Sequence, residues 1–276
     1  MTIALPELLE EHASGEIARI YGEIRHYCGV PYVSSLQRYV ATLPGALEWL
    51  WAALRPAVIS GVIPETGWRL ARDVRISPAP PLSAAVLRLW NVDATALGAI
   101  RNVAANFVRV APVNLVMGGC IHLLLTGARP QGSGFAEAWT PPAQLPAMPG
   151  NVDLASLRPD HRAVLMQLGT EIDGTPFIPA LYRQLAHWPA FLAWLATELG
   201  PRFGAEETAS SRSAFRAAAW TAAEDIVARL PGVPSTAMPD AATIARILPA
   251  IDRYAGTSPE MTMFGRLLHE ALPERM

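Results

Sequence analysis

The chain has 276 residues, a formal net charge of −2, and 51% hydrophobic against 17% charged residues. That balance supplies a large apolar core and excludes a disordered chain, and no basic run offers a footprint for nucleic acid. All 22 basic residues are arginine, which removes lysine Schiff-base chemistry and the phosphate-loop lysine.

In chain order, Met1 to Glu7 place no basic segment ahead of an apolar one, so no secretory signal is expected. Ile17, Ile20, Tyr21, Ile24 and Cys28 fall on one helical stripe. Pro44 stands where a first-turn proline belongs, before Leu-Glu-Trp-Leu-Trp. Ser77-Pro78-Ala79-Pro80-Pro81 interrupts the helical pattern. Asp93 then precedes an Ala-rich run as an N-cap would. The apolar stretch Val103 to Leu125 is broken by Asn106, Arg109, Pro112 and Asn114, so it reads as buried core rather than a membrane span.

Five prolines and four glycines in residues 127–150 mark a linker. Beyond it, Leu165, Leu168 and Ile172 continue a helical stripe, and Pro189 opens another helix. Residues 205–230 run on without a break, with a stripe at Phe215, Ala219, Ala222, Ile226 and Leu230. Asp240 and the triplet Ser258-Pro259-Glu260 read as two further helix starts. Alternating strand patterns are nearly absent. The expected fold class is all-α.

The chain also repeats itself. Residues 29–56 and 174–201 match without a gap at an offset of 145, sharing Gly29/Gly174, Pro31/Pro176, Leu36/Leu181, Arg38/Arg183, Trp49/Trp194 and Pro56/Pro201 among others. At an offset of 147, Pro112, Gly118, His122 and Leu125 match Pro259, Gly265, His269 and Leu272. The expected organisation is a first helical repeat over 1–126, the linker over 127–150 and a second repeat over 151–276. Two such copies pack as a pseudo-dimer about an approximate two-fold axis.

No Cys-x-x-Cys, His-Glu-x-x-His, nucleophile elbow or glycine-rich phosphate loop is present, so no metal and no cofactor are expected. Cys28 and Cys120 are too few for a disulfide framework and fit a reducing cytoplasm. Positions where the copies differ carry more information. Asp173 stands opposite Cys28, and Asn114 opposite Met261, each a polar group in one copy only. Together they are candidates for one site at the interface of the copies. A structural reading stays open for both: Asp-Gly is a common turn dipeptide, and Asn114 is also a candidate satisfied core amide. Arg38 and Arg183 recur in both copies, which favours capping or an internal ion pair over substrate binding.

The two segments EIRHYCGVPYVSSLQRYVATLPGALEWLWAALRP and EIDGTPFIPALYRQLAHWPAFLAWL resemble the two repeats of the group I 2-haloacid dehalogenases, which act on both D- and L-2-haloacids. The resemblance spans residues 16–273. It implies an all-α pseudo-dimer with one site between the repeats, where an aspartate activates a water that attacks the halogen-bearing carbon directly. An asparagine helps to hold that water. Asp173 matches the aspartate. The family places Asn-Pro at the start of the corresponding helix, where this chain has Ala111-Pro112; Asn114, one turn later, is the candidate substitute.

The residue types suit that chemistry. A carboxylate accepts the proton of a poor nucleophile, and a neighbouring amide orients it without adding charge. Tyr32, Ser35 and Phe177 are the candidate substrate-binding residues, through enclosure or contact with the departing halide. The expected partners are a small carboxylate and water, without nucleic acid or membrane, and a homodimer stays open. The alternative is a helical relative that binds or converts another small carboxylate without dehalogenating it.

Overall fold

A computed structural model describes residues 5–135, 139–172, 175–234 and 238–276. Among these residues the chain forms eleven α-helices and one short hairpin. In the first half lie α1 (Gly15–Cys28), α2 (Ser35–Val40), α3 (Ala46–Ile59), α4 (Val62–Asp73), α5 (Ala84–Leu89) and α6 (Ala94–Leu125). The second half has α7 (Pro159–Met166), strands β1 (Thr170–Ile172) and β2 (Thr175–Phe177), α8 (Ala180–Leu185), α9 (Pro189–Phe203), α10 (Glu206–Arg229) and α11 (Ala241–Ala271). The all-α expectation holds.

Element boundaries follow the sequence offsets. Helix α8 is α2 displaced by 145 residues at both ends, and α11 begins 147 residues after α6. The long helices start alike: Asp93 Oδ1 accepts from Ala96 N at 2.8 Å, and Asp240 Oδ1 accepts from Thr243 N at 2.7 Å. Each satisfies one of the donors that a helix N-terminus leaves unpaired. The most extensive contact in the molecule joins α6 and α11. It buries Val103, Val110, Val113 and Val116 on the first helix and Ile247, Ile251, Phe264 and Leu268 on the second. Each such side chain contributes about 1.5–3 kcal/mol on leaving water. Helix α2 packs on α11 while α8 packs on α6. Helix α6 is long and apolar enough to cross a membrane, yet 78% of its most apolar window is buried in the protein.

Four local expectations need correction. Helix α3 starts at Ala46, not at Pro44, because Gly45 takes the cap position at φ 71°. The second copy has Ala190 there, and α9 does begin at Pro189. Ser258-Pro259-Glu260 starts no helix; it lies inside α11, as Ala111-Pro112 lies inside α6. A proline there removes a helical bond, but its neighbours are buried on all sides, and packing outweighs the missing bond. Asn114 is therefore near the middle of a long helix rather than one turn from its start. Finally, the stripe through Leu165 and Leu168 does not carry helix to Ile172. Helix α7 ends at Met166, and β1 pairs antiparallel with β2, Thr170 opposite Phe177. Thr170, Ile172 and Thr175 are β-branched, and Pro176 has no helical donor to give.

The break after α4 is present, and α10 runs unbroken, as expected. The break docks on the other copy: Ser77 N and Oγ both donate to Glu207 Oε1, and Arg202 donates to the carbonyls of Ser77 and Pro78. Residues 128–158, where described, hold no helix but are tied down along their length. Trp139 Nε1 donates to Glu65, Leu145 N to the Gly29 carbonyl, and Asn106 Nδ2 to the Pro146 carbonyl.

Candidate functional site

The broken symmetry between the copies has its clearest physical expression around Asn114. Helix α2 faces the core with Leu36, Gln37, Tyr39 and Val40. Gln37, only 3% exposed, donates from Nε2 to Asn114 Oδ1 at 3.0 Å and lies 3.4 Å from Met117 Sδ. Its own Oε1 accepts from Ser34 Oγ. A buried amide without partners costs about 1–3 kcal/mol, and this pair relieves most of that cost mutually. Asn114 keeps its Nδ2 donors open: among the described residues none accepts from them. A cavity of about 20 Å³, large enough for one water, lies against Gln37 and Met117 and is otherwise walled by apolar side chains such as Leu36, Leu50 and Trp51.

The second copy has no such arrangement. The positions of Gln37, Asn114 and Met117 are taken by Tyr182, Met261 and Phe264. Tyr182 stacks edge-on against Phe203, which stacks edge-on against Phe264 at 5.2 Å. A buried amide pair in one copy is an aromatic cluster in the other.

The remaining sequence candidates are placed as follows. Asp173 lies outside the described residues; β1 and β2 flank it in sequence. Tyr32, three residues ahead of α2, has its ring 6.4 Å from Phe107. Its buried hydroxyl has no partner among the described residues, and burial raises its pKa well above the usual phenol value. Ser35 Oγ accepts from Arg38 at 3.2 Å, so its hydroxyl is engaged within the fold. Phe177 ends β2, half-buried. Arg38 pairs with Glu7 at 2.7 Å, the structural role anticipated for it. Both cysteines are buried and unpaired, and burial raises each to about 12, which makes Cys120 a poor nucleophile. Among the described residues no group of His, Cys, Asp or Glu is arranged to hold a metal.

Two residues did not stand out in the sequence as site candidates. Gln37 was detectable as an amide opposite Tyr182. Glu260 was detectable as a carboxylate opposite Val113 at the offset of 147. It is 6% exposed and accepts from Arg212 at 2.6 Å, in a cleft of about 500 Å³ that also takes in Thr170, Arg216 and Asp252. Burial raises its pKa, with Arg212 opposing.

No protein-family profile matches this sequence. A stretch of 55 residues, 20% of this chain and 18% of the relative, is 33% identical to an (R)-2-haloacid dehalogenase from Pseudomonas putida. The fold is similar to that of a D-2-haloacid dehalogenase mutant in complex with D-2-CPA, with a TM-score of 0.72 and 20% identity over 97% of this chain and 96% of that one. It is equally similar to a D-2-haloacid dehalogenase with L-LA, with a TM-score of 0.71 and 20% identity over 97% of both chains. With nearly the whole of each chain superimposed, this protein has the fold of the D-2-haloacid dehalogenases.

Proposed function

We propose that the protein is a cofactor-independent hydrolase that releases halide from short 2-haloacids, at one site between two pseudo-symmetric copies. The observation that carries this reading is the Asn114–Gln37 pair. A buried amide is locked through its oxygen, its nitrogen is open, and a water-sized apolar cavity adjoins Gln37, all in one copy only. The full-length likeness to dehalogenase structures supplies the reaction class. Water attacks the halogen-bearing carbon, the halide leaves with the bonding pair, and Asp173 takes the proton. Asn114 orients the water, and Gln37 holds Asn114. Tyr32 and Phe177 enclose the substrate. The similar proteins are named for the D or (R) enantiomer, which supports D-selectivity ahead of action on both enantiomers. Two buried, unpaired thiols suit a cytoplasmic setting.

The test is halide release from each enantiomer of 2-chloropropionate. Removing a positioned base lowers rate roughly 10²–10⁴-fold, so Asp173→Asn should nearly abolish release from the D enantiomer while leaving the fold intact. A single turnover in ¹⁸O-water should place the label in the product hydroxyl. Unlabelled first product would instead mean an aspartyl ester, and no halide from either enantiomer would sink the reading altogether.

A further inference from the structure

A second cleft, of about 540 Å³, opens between α4, α6 and α11. It is separate from Asn114: that residue lies five positions beyond Arg109, about 140° around α6 from the cleft-lining face. Three guanidinium groups, from Arg72, Arg109 and Arg266, face one carboxylate, from Glu270. Arg266 is committed to the carbonyls of Ala71 and Val74, and Glu270 sits beside it at 3.8 Å. Arg109 is different. It lies over the Trp68 ring at 5.6 Å and reaches only the Ala143 carbonyl at 3.4 Å; among the described residues it has no acidic partner. A partly buried cation without a counter-ion is costly unless a ligand supplies the charge. Burial and Arg101 together hold His269 below its usual value, so it adds no cation at neutral pH. The wall next to Arg109 is apolar, formed by Trp68, Val108 and Leu145.

The second copy supplies an internal control. Its equivalent cleft has Asp252 at the place of Ala105 and Gly256 at the place of Arg109. There, Arg212 and Arg216 are matched by Glu260 and Asp252.

We propose that the cleft of the first copy binds a small amphipathic organic anion, its carboxylate or sulfonate held by Arg109 and Arg72 and its apolar body laid against Trp68, Val108 and Leu145. This site is independent of the dehalogenation reading, and Asp173→Asn should leave it unchanged. The probe is 4-phenylbutyrate, titrated calorimetrically beside its uncharged amide. The expected result is one site for the carboxylate, with the amide much weaker. Arg109→Met, and Ala105→Asp, which installs the acid of the other copy, should each weaken binding by about tenfold or more. Arg216→Met should not. If Arg109→Met fails to fold by circular dichroism, exposed Arg72→Met serves in its place, with the same direction. Equal affinity for the amide, an effect of Arg216→Met in place of Arg109→Met, or no binding at millimolar probe would overturn the proposal.

Discussion

The crossing of α4 with α6 and the crossing of α10 with α11 occupy equivalent places in the two copies, but they are built on opposite principles. In the first, Gly67 lies against the backbone of α6, so close that an added Cβ would meet Pro112 C and Val113 N at 2.8 Å. In the second, the same two positions are Arg212 and Glu260, a charge pair at 2.6 Å in an open cleft. A missing side chain lets two helices touch; a long cation and a buried acid hold two others apart. The frames match, and differences at two positions make one crossing solid and the other hollow.

The largest effect is expected at the solid crossing. The neighbours of Gly67 are backbone atoms that cannot swing away, so Gly67→Ala should cost about 3 kcal/mol or more in urea unfolding. A near-neutral result would show that α4 can shift, and the contrast would lose its meaning. At the hollow crossing, Glu260→Val installs the residue of the first copy and strands Arg212, which is partly solvated. About 2 kcal/mol is expected, much of it recovered on adding Arg212→Gly. Strict additivity in that double-mutant cycle would mean that the pair does not act as a unit. Titration sharpens the same point. Burial holds the Glu260 carboxyl above its ordinary 4.5, so the folded protein binds this proton more tightly than the unfolded chain. Wild type should therefore lose stability relative to Glu260→Gln as pH rises past 4.5, levelling off above the folded value. Stability that grew relative to the variant over that interval would reverse the assignment. The smallest effect tests what the copies share: Asp93→Ala and Asp240→Ala should each cost about 1 kcal/mol, and by similar amounts.

The parts legible in the sequence were those fixed by local chemistry or by repetition. Asp93 and Asp240 announced the two long helices because an N-cap needs only one oxygen and the turn after it. The offset of 145 gave both ends of α8 once those of α2 were known. What stayed hidden depended on distant packing. Pro259 read as a helix start because a proline locally favours one, and the resemblance implied a start at Pro112; only the buried surroundings on α6 and α11 reveal that the helices continue through. Gly45 displaced the start of α3 by its backbone alone. At the candidate site, Asn114 stood out as a polar residue facing Met261. Gln37 was detectable only as an amide aligned with Tyr182; nothing between residues 37 and 114 indicates that α2 turns this amide toward α6.

The pairing of α6 with α11 also bears on how the chain is made. Helix α6 leaves the ribosome ahead of α11, carrying a long apolar face whose largest partner begins 147 residues later in the chain. At about 5–20 residues per second, the wait between them is on the order of ten seconds. For that time the nascent first half must either shelter its apolar face on α4 or be held by a chaperone. A premature stop before α11 would release an aggregating fragment rather than a smaller protein.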